Sequence, residues 1–325
     1  MFDLTHAIYN DAEKARGHLE GIHWPNGPIC PHCGNIDPAR ITKLEGKSTR
    51  PGVYKCNECR APFSVTVRTV FERSKIGLHK WVLASHLMAA SKKGMSAHQL
   101  HRMLGVTYKT AWFMAHRIRE AMKEDIVETG GPLGGEGKTI EADETYWGRR
   151  EDGYVSPQRK GQPYLKRKKP MKNAIVGLVE RGGRTRTVHV KHATRDAVRE
   201  ILVTTADRNS TLYTDESNIY PITGKEFAAH GTVKHSAKEY ARREGGVVVH
   251  SNTIDSVFSV FKRGMVGVYQ HCGEAHLHRY LTEFDFRYNR RTALKISDAE
   301  RAEDLLRMAR DKRLTCRRIG EAKNA

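Results

Sequence analysis

Four of the six cysteines occur as two Cys-x-x-Cys pairs. Cys30 and Cys33 form the first pair and Cys56 and Cys59 the second, with 22 residues between the pairs. Each such turn lets two thiolates reach one ion, and two turns complete the tetrahedral coordination of Zn²⁺. The pattern predicts a structural zinc site rather than a redox pair. Four thiolate ligands leave no open position on the metal, so this zinc would not be catalytic.

Two aspartates lie at the ends of apolar segments that we predict as strands. Asp143 lies in TIEADETYWG, and Asp215 directly follows STLYT. Two carboxylates that meet can share two divalent ions, which activate a nucleophile and stabilise the leaving oxygen in phosphoryl transfer. Mg²⁺ or Mn²⁺ suits such a pair because these ions prefer oxygen ligands. The alternative is that Asp143 is a surface acid and Asp215 caps a turn.

A third polar group follows in the segment SNTIDSVFSVFKRGMVG, which has helical periodicity. At about 100° per residue, one narrow face carries Asn252, Asp255, Ser259 and Lys262, and the apolar residues occupy the opposite face. The apolar face should pack on the sheet, which would bring the polar edge towards the two aspartates. In the simpler interpretation Asn252 only caps the helix and Lys262 is solvated.

The pattern of strands and helices around these acids predicts an α/β domain. Four segments predict strands, namely TIEADETYWG, NAIVGLVE, RTVHVK and STLYT, with a turn at 181–184 and a helix at 195–204 capped by Thr194. Asp on the first and fourth strands of this order is typical of an RNase H-like domain, in which a mixed sheet is flanked by helices. Glu144 and Glu216 each follow an Asp, and strand alternation turns them away, so we interpret both as structural.

Residues 96–119 have the layout of a helix-turn-helix. Ser96 and Thr107 can each cap a helix, and Gly105 allows a tight turn between the two. The expected buried faces consist of Leu100, Met103 and Leu104 on the first helix and of Ala111, Trp112, Ala115 and Ile118 on the second. The second helix would enter the major groove of DNA, with candidate contacts at Tyr108, Lys109, Thr110, His116 and Arg117. Any basic helical hairpin would share this pattern.

The composition favours a polyanionic partner. The 325 residues carry 56 Lys+Arg against 37 Asp+Glu, a formal net charge of +19, with a pI near 9.7. Such an excess is typical of proteins that bind nucleic acid, here double-stranded DNA, although a solubilising basic surface is the alternative. With 38% hydrophobic residues and a mean hydropathy of −0.62, a sizeable core can form and wholesale disorder is excluded.

A second basic segment is RKGQPYLKRKKPMK at 159–172, which holds seven basic residues and no acid between two predicted strands. We predict a loop that clamps DNA phosphates through Lys166, Arg167, Lys168 and Lys169. The alternative is a solvated loop without a ligand.

Membrane insertion and secretion are both disfavoured. The longest mostly apolar stretch, 81–90, has ten residues, whereas a transmembrane helix needs about 20. The first residues lack the basic and then apolar segments of a signal peptide. Structural disulfides are rare in an intracellular protein, which supports metal binding by the paired cysteines and leaves Cys272 and Cys316 as ordinary thiols.

Several segments together resemble DDE-type insertion-sequence transposases with an N-terminal zinc ribbon, the ISXO2-like group. They are CPHCG, CNEC, APFSVTVRTVFERSKIGLHKW, GMSAHQLHRMLGVTYKTAWFMAHRIR, EADETYWG, YTDES, HSNTIDSVFSVFKRGMVGVYQHC and HLHRYLTEFDFRYNRR, in this order over residues 27–291. The resemblance implies an RNase H-like catalytic core with an Asp, Asp, Asn/Glu triad and a following Lys.

On this resemblance, Asp143 and Asp215 are the first two members of the triad, and Asn252 is the third in an Asn-bearing variant. These three would bind magnesium, and Lys262 is the following lysine. The family commonly has Glu at the position of Asp255, which makes Asp255 a candidate substitute or helper. The resemblance also implies a homo-oligomer, a dimer or larger, in the end-pairing complex, and a cytoplasmic, nucleoid-associated protein of a prokaryotic host.

These features predict a DNA transposase that binds the terminal inverted repeats of its insertion sequence and catalyses metal-dependent strand cleavage and strand transfer. One alternative is a sequence-specific DNA-binding regulator derived from a transposase, with an inactive core, which Asn252 at the third position supports. Another is an RNase H-like structure-specific nuclease, which would cut without joining. A zinc-ribbon component of the transcription machinery would leave residues 139–291 unexplained.

The predicted organisation has four parts. Residues 1–70 would form the zinc ribbon with an N-terminal extension, and 71–130 the helix-turn-helix domain. Residues 131–291 would form the RNase H-like catalytic domain, and 292–325 a charged helical tail.

Overall fold

The structure is a computed structural model that describes residues 3–124, 131–150 and 172–315. The chain divides into two compact units, one formed by residues 1–123 together with 290–325 and the other by residues 124–289. The four-part division expected from the sequence stays a prediction. None of the helices within the described ranges is both long and apolar enough to cross a membrane.

The first unit joins a small sheet to a group of helices. Its elements up to residue 123 are α1 (Ala12–His23), β1 (Ile41–Lys43), β2 (Tyr54–Cys56), β3 (Pro62–Phe63), α2 (Leu78–Ala90), α3 (Ala97–Leu104) and α4 (Tyr108–Ala121). The three strands form an antiparallel sheet in the order β1-β2-β3. Trp24, Tyr54 and Phe63 pack their rings together behind this sheet, with centroids between 5.4 and 5.8 Å apart.

The predicted turn between α3 and α4 is present. The hydroxyl of Ser96 accepts from the backbone N–H of Gln99, and that of Thr107 accepts from the N–H of Thr110. Gly105 ends α3 with φ +58°, a left-handed conformation that a glycine adopts without strain. Met103, expected on the buried face of α3, is instead 47% exposed.

The C-terminal segment is a packed helix rather than a charged tail. Residues Asp298–Arg307 form α9, which begins with a capping box between Ser297 and Glu300. Leu305 and Leu306 are buried. Arg301 is also buried and donates to the carbonyl of Ala89 in α2 (3.0 Å). The helix expected in this part of the chain is present, and its apolar face completes the core of the first unit.

The second unit is built on a mixed sheet with flanking helices. Its elements are β4 (Thr139–Trp147), β5 (Asn173–Glu180), β6 (Thr185–Val190), α5 (Arg195–Thr205), β7 (Thr211–Asp215), α6 (Pro221–Gly224), β8 (Ala229–Val233), β9 (Ala241–Glu244), β10 (Val247–His250), α7 (Asn252–Gly264) and α8 (Leu277–Asn289). The main sheet has the order β6-β5-β4-β7-β8. β4, β5 and β6 are successively antiparallel, whereas β4, β7 and β8 are parallel.

This arrangement confirms the four strands predicted for the second unit, the helix predicted at 195–204 and the helical segment that begins at Asn252. It adds β8 and the separate hairpin of β9 and β10, which the sequence analysis missed. The hairpin is short and its tip is Gly245-Gly246, both with positive φ.

Both faces of the sheet are covered by helices, which explains why every residue of β5 is buried. On one face Ile140, Ala142 and Leu212 pack with residues of α5, and on the other Ile175 and Val179 pack with residues of α7 and α8. α7 lies so close to β5 that a Cβ on Gly177 would be 2.7 Å from the ring of Phe258.

A buried carboxyl group joins α8 to β6. Asp285 is 6% exposed, and it accepts hydrogen bonds from the backbone N–H (2.8 Å) and the hydroxyl (2.9 Å) of Thr187. Burial raises the pKa of Asp285 to about 7, although the hydrogen bonds from Thr187 act in the opposite direction. Folding therefore favours the protonated form of this group.

The substitution Asp285→Asn should remove part of the pH dependence of stability. The folded-state pKa lies above the ordinary value of 3.8, so the stability from this group is present below about pH 4 and lost as the pH rises to 7. We expect the free energy of unfolding of the variant, relative to wild type, to rise by on the order of 1–3 kcal/mol across this interval and to level off above it. Urea unfolding at a series of pH values measures the difference, and a constant difference from pH 4 to pH 7 would contradict the prediction.

Candidate functional site

The four paired cysteines form one cluster in the first unit. The Sγ atoms of Cys30 and Cys59 are 3.6 Å apart, as are those of Cys33 and Cys56, and all four lie within 4.8 Å of one another. A tetrahedral ion with metal–sulfur bonds of about 2.3 Å requires sulfur atoms about 3.8 Å apart. The spacing therefore fits one tetrahedral ion held by four thiolates.

Hydrogen-bond donors around Cys56 favour the thiolate form of this residue, whereas the pKa values of Cys30, Cys33 and Cys59 are raised in the absence of a cation. Gly34, with φ +76°, donates its N–H to the carbonyl of Cys30 and closes the first turn. The backbone N–H of Cys59 points at Cys56 and lowers the pKa of that thiol to about 6, and the side-chain amide of Asn35 donates to the same sulfur (3.7 Å). These donors stabilise the charged form that a metal ion needs.

The two aspartates of the second unit lie in the same register of adjacent parallel strands. Thr139 of β4 pairs with Thr211 of β7, and Glu141 pairs with Tyr213. Two residues further along both strands come Asp143, in the middle of β4, and Asp215, at the carboxyl end of β7, so the sheet places them side by side. This is the juxtaposition expected from the sequence.

The charge environment agrees with this placement. The pKa of Asp143 is raised to about 8, first by burial and then by the negative charges of Asp215, Glu144 and Asp255. Without a cation, the carboxyl of Asp143 is therefore largely protonated at neutral pH. A group of acids with this property fits a site that a divalent cation occupies.

α7 contributes one more acid, Asp255, and one base, Lys262, near these carboxyl groups. The pKa of Asp255 is raised chiefly by burial and also by Glu141 and Asp215, whereas His235 and Lys262 lower it. The imidazole of His235 is held by the hydroxyl of Ser251 (3.1 Å). Asp255 and Lys262 are seven residues apart, which is two helical turns, so they share one side of the helix.

Asn252 is the first residue of α7 and is exposed, as is Asp255 one turn later. On the helix it lies about 150° from the centre of the buried face formed by Ile254, Phe258 and Phe261, whereas Asp255 lies about 90° from that centre, at the edge of the face. The structure thus brings Asp143, Asp215 and Asp255 into one electrostatic group. The assignment of Asn252 as the third ligand stays a prediction.

The two glutamates that follow the aspartates make structural contacts. Glu144 accepts a hydrogen bond from the hydroxyl of Tyr220, a fully buried residue in the core on the α5 side of the sheet. Glu216 accepts from the backbone N–H groups of His235 (2.6 Å) and Ser236 (2.9 Å). Glu216 thereby fixes the turn that presents His235 to Asp255, a role that nothing in the sequence indicated.

Only part of the predicted DNA contact surface of α4 is accessible. Tyr108 and Lys109 are exposed, and Thr110 is half-buried, with its hydroxyl 2.9 Å from that of Thr107. His116 and Arg117, by contrast, are 1% and 6% exposed.

Arg117 is held inside the first unit. Its guanidinium lies over the rings of Trp81 (5.5 Å) and Phe113 (5.6 Å) and donates to the carbonyl of Glu72 (2.7 Å). The interpretation of His116 and Arg117 as DNA contacts is therefore wrong for this conformation, because both side chains belong to the core.

The exposed end of α4 carries a contact that the sequence analysis missed. The ring of His98, in the first turn of α3, stacks on Tyr108 with centroids 4.3 Å apart and planes 26° apart. His101 contacts both rings edge-on. The predicted phosphate clamp at 166–169 lies outside the described residues.

Family comparisons agree with this arrangement. Residues 132–289 match the family model described as "ISXO2-like transposase domain", and residues 10–62 match the one described as "Transposase zinc-ribbon domain". The first range contains the group of aspartates, and the second contains all four paired cysteines. Together the two matches define an insertion-sequence transposase with a zinc ribbon. The chain belongs to the ISXO2-like transposase family.

Individual relatives are more distant. The chain is 28% identical over 262 residues to the "Uncharacterized protein in transposable element ISH50" of Halobacterium salinarum, covering 77% of this chain and 82% of that protein. Among solved structures, a pre-cleavage Mos1 transpososome is 10% identical, with 67% of this chain and 75% of that chain covered and a TM-score of 0.27. A Mos1 transposase paired-end complex with the left transposon end is 12% identical, with 66% and 70% covered and a TM-score of 0.26.

Proposed function

We propose that this chain is a DNA transposase that binds the terminal inverted repeats of its own insertion sequence, cleaves a strand there and transfers it to target DNA. The observation that carries the proposal is the shared register of Asp143 and Asp215 on parallel β4 and β7, with Asp255 of α7 in the same electrostatic group. The sheet order β6-β5-β4-β7-β8, with helices on both faces, supports an RNase H-like core.

The residues fit divalent cations such as Mg²⁺ or Mn²⁺. Carboxylates that raise one another's pKa are stabilised together when a cation shares them, and oxygen ligands suit these ions. The cations supply an activated nucleophile and a stabilised leaving oxygen for displacement at phosphorus. Asp143 and Asp215 would hold them from the sheet, while Lys262 would bind a phosphate oxygen beside the scissile bond as a compact positive charge.

The core assignment is tested by Asp143→Asn and Asp215→Asn. Each variant keeps the size of the side chain and removes one negative charge from the cation site. We expect either change to reduce cleavage of labelled transposon ends in Mg²⁺ by about 1,000-fold or more, since a metal site contributes several kcal/mol to the transition state. Binding to the same ends in EDTA, measured by gel shift, should stay within about twofold of wild type.

Wild-type cleavage by Asp143→Asn in Mg²⁺ would refute the catalytic assignment. End binding by the wild type without any cleavage in Mg²⁺ or Mn²⁺ would favour a regulator with an inactive core. Cleavage without strand transfer would favour a nuclease.

We further propose that Asp255, rather than Asn252, is the third ligand of the core. Asp255 carries a negative charge that couples to Asp143 and Asp215 and has Lys262 on its own side of α7, whereas Asn252 is neutral and faces away from the buried side of the helix. An amide oxygen would add a ligand atom but no charge to offset that of the metal.

The matched variants Asp255→Asn and Asn252→Ala distinguish the two residues. We expect Asp255→Asn to lower cleavage by about 100-fold or more and to raise the Mg²⁺ concentration needed for half-maximal rate, whereas Asn252→Ala should change either quantity by less than about fivefold. The opposite ranking in the same cleavage assay would restore Asn252 as the third ligand. Loss of activity in both variants would indicate that the two side chains act together.

The first unit is proposed to recognise the transposon ends. Tyr108 and Lys109 at the exposed start of α4 would approach the major groove, with Thr110 supporting the turn. The basic composition predicts binding that weakens steeply with salt. Pairing of two ends would require a homo-oligomer, a dimer or larger.

We propose Zn²⁺ for the four-cysteine cluster, because four thiolates at tetrahedral spacing suit this ion. Cys56→Ser removes one thiolate, and we expect the zinc content to fall from about one ion per chain to a small fraction and the first unit to lose stability. Zinc released after thiol modification and thermal unfolding by circular dichroism measure the two effects. Cys272→Ser, which alters a thiol of the other unit, is the control and should retain zinc. Full zinc content in Cys56→Ser would contradict the four-thiolate site.

A further inference from the structure

We propose that Glu141 is a positioning residue that fixes the first turn of α7, and with it Asp255, relative to Asp143. The inference rests on the proposed function, because it assigns Glu141 a part in assembling the same cation site. The residue is fully buried, lies two positions before Asp143 on β4, and contacts α7 through a carboxylate that the proposed chemistry does not use.

Glu141 supplies the N-terminal cap that α7 lacks in its own sequence. The preceding residue, Ser251, makes no side-chain capping hydrogen bond. Instead, Oε2 of Glu141 accepts from the backbone N–H groups of Thr253 (2.8 Å) and Ile254 (3.1 Å), and Oε1 accepts from the hydroxyl of Thr253 (2.8 Å). The carboxylate thus satisfies two of the free N–H groups of the first turn and lies at the positive end of the helix dipole.

Arg181 compensates the buried charge and extends the connection. Its Nε donates to Oε1 of Glu141 (2.6 Å), and its other nitrogens donate to the carbonyls of Val248 (2.8 Å) and His250 (2.9 Å), at the end of β10. The guanidinium also lies over the ring of Tyr213 on β7, 4.8 Å from its centroid. One half-buried ion pair therefore connects β4, β7 and the chain that enters α7.

These contacts make Glu141 the link between two of the proposed ligands. Residues two apart on a strand point to the same face, so Glu141 and Asp143 both face α7, about 7 Å apart along β4. Asp255 directly follows Ile254, whose N–H the carboxylate binds. A shift of the first turn of α7 would therefore move Asp255 relative to Asp143, and metal ligands tolerate only small displacements.

The test uses full-length, zinc-loaded Glu141→Gln, which keeps the side-chain size but loses the charge and places an amide NH₂ among donors. We expect hydrogen exchange at the amides of Thr253 and Ile254 to accelerate by about 10-fold, since a lost cap costs about 1–2 kcal/mol. We also expect the dissociation constant for Mn²⁺, measured by titration without DNA, to rise by about 10-fold or more, as for other residues that orient metal ligands.

Asp285→Asn is the matched control, because it also replaces a buried carboxyl of the second unit by an amide, but at a residue that contacts β6 rather than the first turn of α7. It should alter stability while leaving exchange at Thr253 and Ile254 and the affinity for Mn²⁺ unchanged. The milder Thr253→Val removes one hydrogen bond to Glu141 and should move both readouts in the same direction by about two- to fivefold. It keeps the experiment decisive if Glu141→Gln does not fold.

Faster exchange with unchanged Mn²⁺ affinity would make Glu141 a purely structural cap and overturn the inference, as would unchanged exchange. Failure of the proposed function looks different. In that case Asp143→Asn would leave both Mn²⁺ binding and DNA cleavage as in wild type, whatever the exchange rates at α7.

Discussion

Two carboxylates in the same register of adjacent parallel strands must lie within each other's field. β4 and β7 impose this on Asp143 and Asp215, and burial adds to the repulsion, so that the pKa of Asp143 rises to about 8. Two buried carboxylates that repel each other lower the stability of the folded sheet when no cation is bound between them. The helices of the second unit hold the two acids in this position. α5 and α8 bury the strands from both sides, and α7 brings a further acid and a lysine to the same edge.

The position of α7 depends on packing and on one ion pair. Its apolar face lies against β5 where Gly177 leaves room for Phe258, which sets the distance between helix and sheet. Packing of this kind leaves a helix some freedom to slide or rotate. The ion pair of buried Glu141 with half-buried Arg181 restricts that freedom, because the carboxylate binds particular N–H groups of the first turn. Apolar packing thus sets the distance of α7 from the sheet, and the specific polar contact limits its sliding and rotation.

Much of the second unit could be predicted from the sequence, since strand alternation and helix caps are local signals. The four strands and the cap at Thr194 followed from such patterns. The choice between Asn252 and Asp255 could not be predicted in this way, because both residues lie on one polar face of the helix. Only the packing of α7 on the sheet shows which side of that face is nearer to the two aspartates. The prediction of His116 and Arg117 as DNA contacts was wrong for a related reason. Polar side chains on a helix in a small unit are not all on its outside, and Arg117 is accommodated between Trp81 and Phe113.

The chain combines a net charge of +19 with a cluster of acids that repels anions. Both properties bear on how DNA could approach the site. A basic surface attracts DNA from a distance regardless of its sequence, but the same attraction would not place a phosphodiester against three carboxylates. Only when cations are bound does the acidic edge of β4 and β7 become complementary to phosphate, so cation binding and DNA approach should favour each other. Because Lys262 lies beside Asp255, a positive side chain is already present where the phosphate would have to enter. On the proposed function, the acids and the basic surface form one electrostatic arrangement, in which the ligand geometry fixed by Glu141 would set the affinity for the cations and the basic residues would set the residence time of the DNA.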